Sequence, residues 1–300
     1  MKVMLCVDMD EAEARLWRQA LSAALPEAQW LDPDAARRHA DAVQAAVVAN
    51  PPPGSLQGLP KLRLIQSLWA GVDRLLADPS LPPGVPMARM VDPLMSAAMA
   101  ETALWAVLSL HRDFYVYARQ QRQGLWLQHP QRRADELRVL VLGQGEMGRA
   151  AAGRIAPLGY RVTGWRRDGT ALASLLPMAD IVLNLLPLTP QTRGLLDARF
   201  LAALPRGAAL VNLGRGAHVV DADLLAALDS GHLRHAVLDV FHREPLPAGH
   251  PYWTHPQVTV LPHAAAATDA RSAAAVVAAN LRAARDGAPI AHLDDRRRAY

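Results

Sequence analysis

Val139-Leu140-Val141-Leu142-Gly143-Gln144-Gly145-Glu146-Met147-Gly148 is the stretch that decides the fold. The apolar run reads as a buried strand from Arg138 to Leu142, and Gly148 to Ala156 reads as a helix. Between them stands Gly-x-Gly-x-x-Gly. Gly143 permits the tight turn, Gly145 lets backbone approach a pyrophosphate, and Gly148 allows helix and strand to pack closely. The free N–H groups of the helix N-terminus then hold the phosphates. A strand before the glycines and a helix after them make this a dinucleotide-binding unit. Gln144, Glu146 and Met147 fall within the same loop and first turn, and count with the glycines as cofactor contacts.

About 20 residues further on, an acid commonly takes the ribose 2′-OH of NAD. Here the next strand, Tyr160 to Gly164, is followed by Arg166 and Arg167, with no carboxylate before Asp168. Arginines at that place suit the 2′-phosphate of NADP. The spacing therefore predicts NADP as preferred cofactor, with NAD possible. The other reading is a pair of solvated loop arginines.

Outward from the fingerprint, strand-like and helix-like segments alternate. Lys2 to Val7, Ala42 to Ala49, Leu62 to Leu68 and Met87 to Val91 read as strands. Glu11 to Ala24 and Gly71 to Ala77 read as helices. A long helix is expected from Ser96 to Arg122, then an irregular polar excursion, Gly124 to Glu136, carrying Trp126. Ile181 to Leu186, Ala208 to Leu213, His235 to Val240 and Val258 to Leu261 supply more strands. The alanine-rich stretch from about Ala267 to Arg285 reads as a close-packed final helix. This alternation predicts parallel sheets with right-handed crossovers. The expected fold is α/β, with two Rossmann-like or flavodoxin-like doubly wound parallel-sheet domains and a cleft between them. The expected bounds are 1–95 for a substrate domain, 96–268 for the dinucleotide domain, and 269–300 for a helix returning to the first.

Composition agrees. Three hundred residues, 51% hydrophobic and 20% charged, suffice for two buried cores and argue against disorder. The single cysteine, Cys6, excludes an internal disulfide framework and a multi-cysteine metal site, and no metal is expected. Set in Val3-Met4-Leu5-Cys6-Val7, it reads as buried and inert. Acids at Asp8, Asp10 and Glu11 leave no room for a signal-peptide apolar region. No run reaches the ~18 consecutive apolar residues of a membrane span. A cytoplasmic protein with no membrane partner is expected. The basic residues are thirty arginines with only Lys2 and Lys61 as lysines. Apart from Arg132-Arg133, Arg166-Arg167 and Arg296 to Arg298 they are mostly scattered singly, whereas a nucleic-acid surface needs a continuous basic face.

Three further stretches place chemistry just past strand ends, where open parallel sheets bind ligands. Val211-Asn212-Leu213-Gly214-Arg215-Gly216 carries an arginine flanked by glycines that would let substrate come close. Leu238-Asp239-Val240-Phe241-His242-Arg243-Glu244-Pro245 carries two acids, and Leu261-Pro262-His263 a histidine. The other ten histidines have no such context and read as mostly exposed.

Together these motifs, with Leu186-Pro187-Leu188-Thr189-Pro190-Gln191-Thr192, resemble the D-isomer-specific 2-hydroxyacid dehydrogenase family over almost the whole chain. Within it, Trp165-Arg166-Arg167, Ala217-His218-Val219-Val220 and Arg243-Glu244-Pro245-Leu246-Pro247 look most like the bacterial glyoxylate/hydroxypyruvate reductases of the A type. The resemblance implies reduction of glyoxylate or hydroxypyruvate to glycolate or glycerate by hydride transfer from NADPH. It makes Arg215 the clamp on the carboxylate of a small 2-keto acid, a task its planar fork suits. His263 would be the general acid, with Glu244 orienting it and favouring its protonated form. Pro187 and Thr192 would contact the cofactor. Asp239 would contact the nicotinamide carboxamide, or else cap a turn.

Ser67-Leu68-Trp69-Ala70-Gly71-Val72-Asp73 resembles the family loop whose N–H groups receive the substrate carboxylate. Gly71, read as a helix start, would make that an anion site. Trp69 would either wall the pocket toward two- and three-carbon substrates or pack in the core. The arm from His111 to Glu136 resembles the family's dimerisation segment, implying a homodimer. Met95 to Glu101 keeps the family's Glu101 but little else distinctive. A dehydrogenase of a larger 2-keto acid, or a non-catalytic NAD(P)-sensing binding protein of the same fold, are the alternatives.

Overall fold

The aliphatic runs between turn residues form strands in this computed structural model, which describes residues 1–167 and 169–294. Asp168 and the basic cluster Arg296–Arg298 lie outside the described residues. The chain divides into two units, Met1–Met95 with the segment from Thr268 onward, and Ser96–Ala267.

In the first unit, β1 (Lys2–Val7), β2 (Gln29–Leu31), β3 (Val43–Ala49), β4 (Leu64–Ser67) and β5 (Met87–Ala88) form one parallel sheet in the order β2-β1-β3-β4-β5. Both faces of β3 are buried, which is why it reads as a continuous apolar run rather than an alternation. The helix Glu11–Ala24 buries Trp17 and Leu21 on one face. The helix Ala270–Asp286 lays Ala273, Ala274, Val277 and Ala278 into the same core, where small side chains permit close approach. Its start is set by Asp269, which accepts from the Arg271 N–H at 2.9 Å, and its end by Gly287 at φ 70°.

In the second unit, β6 (Arg138–Leu142), β7 (Arg161–Trp165), β8 (Ile181–Asn184), β9 (Ala208–Asn212), β10 (Leu233–Leu238) and β11 (Val258–Val260) form a parallel sheet ordered β11-β10-β9-β8-β6-β7. In both units the strand order reverses beside the first strand, at β1/β3 and at β6/β8. Such reversals open the crevice where doubly wound sheets bind ligands.

The expected helix from Ser96 to Arg122 is two helices, Pro93–His111 and Phe114–Arg122. The first starts earlier because Asp92 accepts from the Leu94 N–H at 3.0 Å and Pro93 stands at the opening turn. It stops because Arg234 donates to the Leu110 carbonyl at 2.6 Å and reaches Asp113, which sits at φ 55°. By length and composition Pro93–His111 would suffice to cross a membrane. Ser96 and Glu101 interrupt its apolar run, and Met99, Ala103, Ala106, Val107 and Leu110 pack into the core beside β6, β8 and β9.

Candidate active site

The glycine fingerprint has two kinds of glycine. Gly143, at φ 100°, could not carry a side chain, because a Cβ there would lie 2.7 Å from the Leu185 carbonyl oxygen. A Cβ on Gly148 would lie 1.9 Å from the Gly143 oxygen, so the helix Glu146–Ile155 packs onto the turn only because Gly148 is bare. Gly145 differs: nothing lies within 4 Å of where its Cβ would be. The protein itself does not need that glycine, but a ligand approaching the turn would. Gly145 is also the N-cap of the helix, and no side chain caps its N–H groups. This is a cradle of the shape and polarity a pyrophosphate fits.

Around the cradle, the Gln144 amide folds back on the Val141 and Gly143 carbonyls and lies over Gly164. Glu146 pairs with Arg149, and Met147 packs at the edge of the core. The Gly143 N–H donates to the Trp165 carbonyl at 2.9 Å, which ties the turn to the end of β7. Arg166 and Arg167 follow immediately and are exposed. On the other side of β6, Thr192 Oγ1 donates to the Pro187 oxygen at 2.7 Å and shapes the loop after β8.

The same sheet brings three of the catalytic candidates to the ends of β9, β10 and β11. His263 Nδ1 lies 2.6 Å from Glu244 Oε2, although 19 residues separate them. Glu244 Oε1 accepts from the Phe241 N–H at 2.8 Å, so both carboxylate oxygens are engaged. His263 holds φ 55°, a left-handed conformation costly for a histidine, and its N–H donates to the Asp239 carbonyl at 2.9 Å. The hydrogen bond to Glu244 raises the His263 pKa above its ordinary value, against burial, which lowers it. Burial alone would raise Glu244, but its bonds to His263 and the Phe241 N–H outweigh that and lower its pKa.

Asp239 takes the turn-capping role: its two oxygens accept from the Ala264 and Ala265 N–H groups at 2.7 and 3.1 Å. It thereby fixes the turn just after His263. Arg215 is half-buried, with Nη1 donating to the Gly214 carbonyl at 2.8 Å. The glycines beside it serve a different end from the one expected. A Cβ on Gly216 would lie 2.0 Å from the Phe241 carbonyl carbon, so Gly216 makes room for protein backbone and not for substrate.

Trp69, Ala70 and Gly71 belong to the first unit. Trp69 packs edge-on against Trp17, with ring centroids 6.3 Å apart, at the margin of that unit's core. The helix beyond starts at Asp73, not at Gly71, and has only four residues. A single turn has too little aligned dipole to make Gly71 a helix-terminus anion site, contrary to the expectation.

The histidines are also less exposed than expected. Besides His263, only His39, His242 and His292 are exposed, while His218 and His235 are fully buried. Burial pushes His235 down to about 3. Sequence reasoning gave no role to Asn184, Asn212 and His218, which are buried together. The signal was present: each asparagine closes an otherwise apolar strand.

Residues 104–265 match the model of the D-isomer specific 2-hydroxyacid dehydrogenase, NAD binding domain. The chain is 36% identical to glyoxylate/hydroxypyruvate reductase A of Yersinia enterocolitica, over 96% of this chain and 97% of that protein. It belongs to the D-isomer-specific 2-hydroxyacid dehydrogenase family. Two solved structures are similar to this dehydrogenase throughout. One, a D-isomer specific 2-hydroxyacid dehydrogenase from Xanthobacter autotrophicus in complex with NADPH and MES, is 40% identical with a TM-score of 0.93, covering 100% of this chain and 99% of that one. The other, the NADPH-dependent glyoxylate/hydroxypyruvate reductase of Sinorhizobium meliloti in complex with NADP and sulfate, is 32% identical with a TM-score of 0.92 and the same coverage. The dehydrogenase is accordingly an NAD(P)-dependent oxidoreductase.

Proposed function

We propose that this dehydrogenase reduces glyoxylate and hydroxypyruvate to glycolate and glycerate, with NADPH preferred over NADH. The observation that carries the reading is the Glu244–His263 pair at 2.6 Å, held past the strand ends of the sheet that bears the glycine cradle. When bound, the reduced dinucleotide supplies the hydride that reaches the carbonyl carbon.

The chain's own residues do the rest. Nδ1 of His263 faces Glu244, so the proton given to the carbonyl oxygen leaves from Nε2, and the imidazolium becomes neutral imidazole. Glu244 favours the protonated imidazolium by raising the His263 pKa above its ordinary value. Arg215 holds the substrate carboxylate and polarises the carbonyl through its planar fork. Gly143, Gly145, Gly148 and the first turn, Gln144, Glu146 and Met147, hold the pyrophosphate. Pro187, Thr192 and Asp239 would border the nicotinamide end, and Arg166 and Arg167 would hold the 2′-phosphate. Trp69, Ala70 and Gly71 would contact substrate through the loop itself, without help from a helix terminus. The enzyme works in the cytoplasm as a homodimer paired through the 111–136 arm, which exposes Phe114, Leu125, Leu127 and a 96% exposed Trp126.

The test follows NADPH absorbance on adding glyoxylate, hydroxypyruvate and longer 2-keto acids, repeated with NADH. Turnover confined to longer acids would transfer the reading to another substrate. No turnover with any acid and either cofactor would leave a dinucleotide-sensing protein. Light scattering on the same sample checks the dimer, and a monomer at assay concentration removes it.

A further inference from the structure

Two strands of the dinucleotide unit end on an amide after a wholly apolar run. β8 closes on Asn184 and β9 on Asn212, and both side chains are fully buried, as is His218. The three form one network. Asn184 Nδ2 donates to Asn212 Oδ1 and to His218 Nδ1, each at 2.9 Å. The backbone N–H of Arg215 donates to the same Nδ1 at 3.2 Å. Asn212 Nδ2 donates to the Arg215 carbonyl at 3.0 Å. At the far edge of the ring, His218 Nε2 lies 3.2 Å from the Pro187 oxygen, which also accepts from Thr192.

The partners fix the tautomer. Nδ1 faces two N–H donors and must accept, so the ring proton is on Nε2 and is donated to Pro187. Every polar atom this ring offers is thus spent on joining two loops. One loop carries Arg215 after β9, and the other carries Pro187 after β8.

We propose that His218 is a positioning residue that locks the Arg215 backbone to the Pro187 loop, holding the substrate-carboxylate arginine and the dinucleotide loop in one register. This rests on the roles proposed above for Arg215 and Pro187. The ring acts only through these neighbours. A fully satisfied buried network is rigid, and leaving one of its donors unpaired is costly, so the loops move together or not at all. Small misplacements of a positioning group are amplified in rate, which gives a buried residue remote from the reacting atoms its leverage.

The two edges of the ring can be replaced separately. His218→Asn keeps an acceptor near the Nδ1 position and loses the donor to Pro187. His218→Gln keeps a donor near the Nε2 position and loses the acceptor for Arg215 and Asn184. The experiment measures KM for NADPH and for glyoxylate, kcat, and melting temperature for both variants of the full chain. With one loop freed in each, His218→Asn should raise the NADPH KM roughly tenfold, and His218→Gln the glyoxylate KM by a similar factor, each leaving the other constant within about twofold. Equal changes in both constants for both variants, or a change in melting temperature alone, would overturn the proposal.

Arg215→Lys is the control. If it leaves the glyoxylate KM unchanged, the carboxylate reading of Arg215 fails. If it raises that KM while His218→Gln does not, the positioning role alone fails. Should neither His218 variant fold, 15N spectra of the unsubstituted chain decide. NADPH should shift His218 Nε2, and glycolate added afterwards should shift Nδ1; a ring blind to both ligands overturns the role.

Discussion

The two units share one wiring and differ in what stands at its reversal point. Both sheets start their crevice beside the first strand, at β1/β3 and β6/β8, and both follow the first strand with a helix. In the first unit that helix opens with Asp10, whose carboxylate accepts from the Glu13 N–H at 2.8 Å, and with Glu11 and Glu13 in the first turn. The N-terminus is capped by the chain itself and ringed with negative charge. In the second unit the same place is Gly145, with no side-chain cap, and the one acid of the first turn, Glu146, is paired with Arg149. One terminus has a side chain of its own on an N–H group and two further acids around it; the other has no side-chain cap and so is open to an anion. The lesson is that topology provides the place, and a handful of loop residues decide whether a phosphate can use it.

The contrast can be broken at several points. The largest effect is expected where the second unit adds chemistry that the first lacks. His263→Ala should lower kcat by ~10²–10⁴-fold with NADPH affinity unchanged. Turnover near that of the parent, where chemistry limits the rate, would remove His263 from the mechanism. Arg166→Asp should come next. A hydrogen bond to a charged group is worth roughly 1.5–3 kcal/mol, so losing one from the 2′-phosphate should cut kcat/KM for NADPH by ~10- to 150-fold. NADH should hold steady or improve. A parent that already prefers NADH would sink the assignment of Arg166 and Arg167.

Gly145→Ala sharpens the comparison further. The space around its Cβ is open, so stability should fall by no more than the N-cap preference of glycine over alanine, about 1 kcal/mol, while the NADPH KM rises several-fold. A larger stability loss with unchanged KM would mean that the glycine serves the fold.

Glu244→Gln acts on the proton alone. Without the carboxylate the His263 pKa should fall, and the high-pH limb of the reduction rate should move to lower pH; superimposable profiles for mutant and parent would reject the pairing. The same pair bears on stability, with opposite signs. His263, raised in the fold, contributes stability that is present below its unfolded pKa and is lost as pH rises through the folded value. Glu244, lowered in the fold, contributes stability that is present above its unfolded pKa and is lost as pH falls through the folded value.

The smallest effect belongs to the first unit. Asp10→Ala removes a helix cap and should cost about 1 kcal/mol of stability by denaturant titration, leaving both cofactor and substrate constants where they were. A change in NADPH KM would contradict the division of labour between the two crevices.

Much of this was legible in local sequence. Lys2–Val7, Glu11–Ala24 and Arg138–Leu142 form with the bounds that their apolar patterns predict. The short strand Gln29–Leu31 was missed because three residues show no period, and the helix Pro33–Arg38 despite Asp32 and Pro33, an N-cap and a first-turn proline, announcing it. The break at Asp113 was not legible, since Arg234, which captures the Leu110 carbonyl, is 124 residues away from it.

The sequence by itself determined the two α/β alternations, the glycine turn and the residue types fit for the chemistry, because strands, helices and tight turns answer to neighbours a few positions off. Tertiary structure decided the partnerships: Glu244 Oε2 on His263, Asp239 on the turn past it, and Gly216 bare for the Phe241 backbone. It also decided that His218, one of ten histidines without a role in the sequence, joins Arg215 to Pro187. Hydrogen bonds are fixed by distance and direction in space, and neighbouring parallel strands bring together residues that the chain keeps far apart.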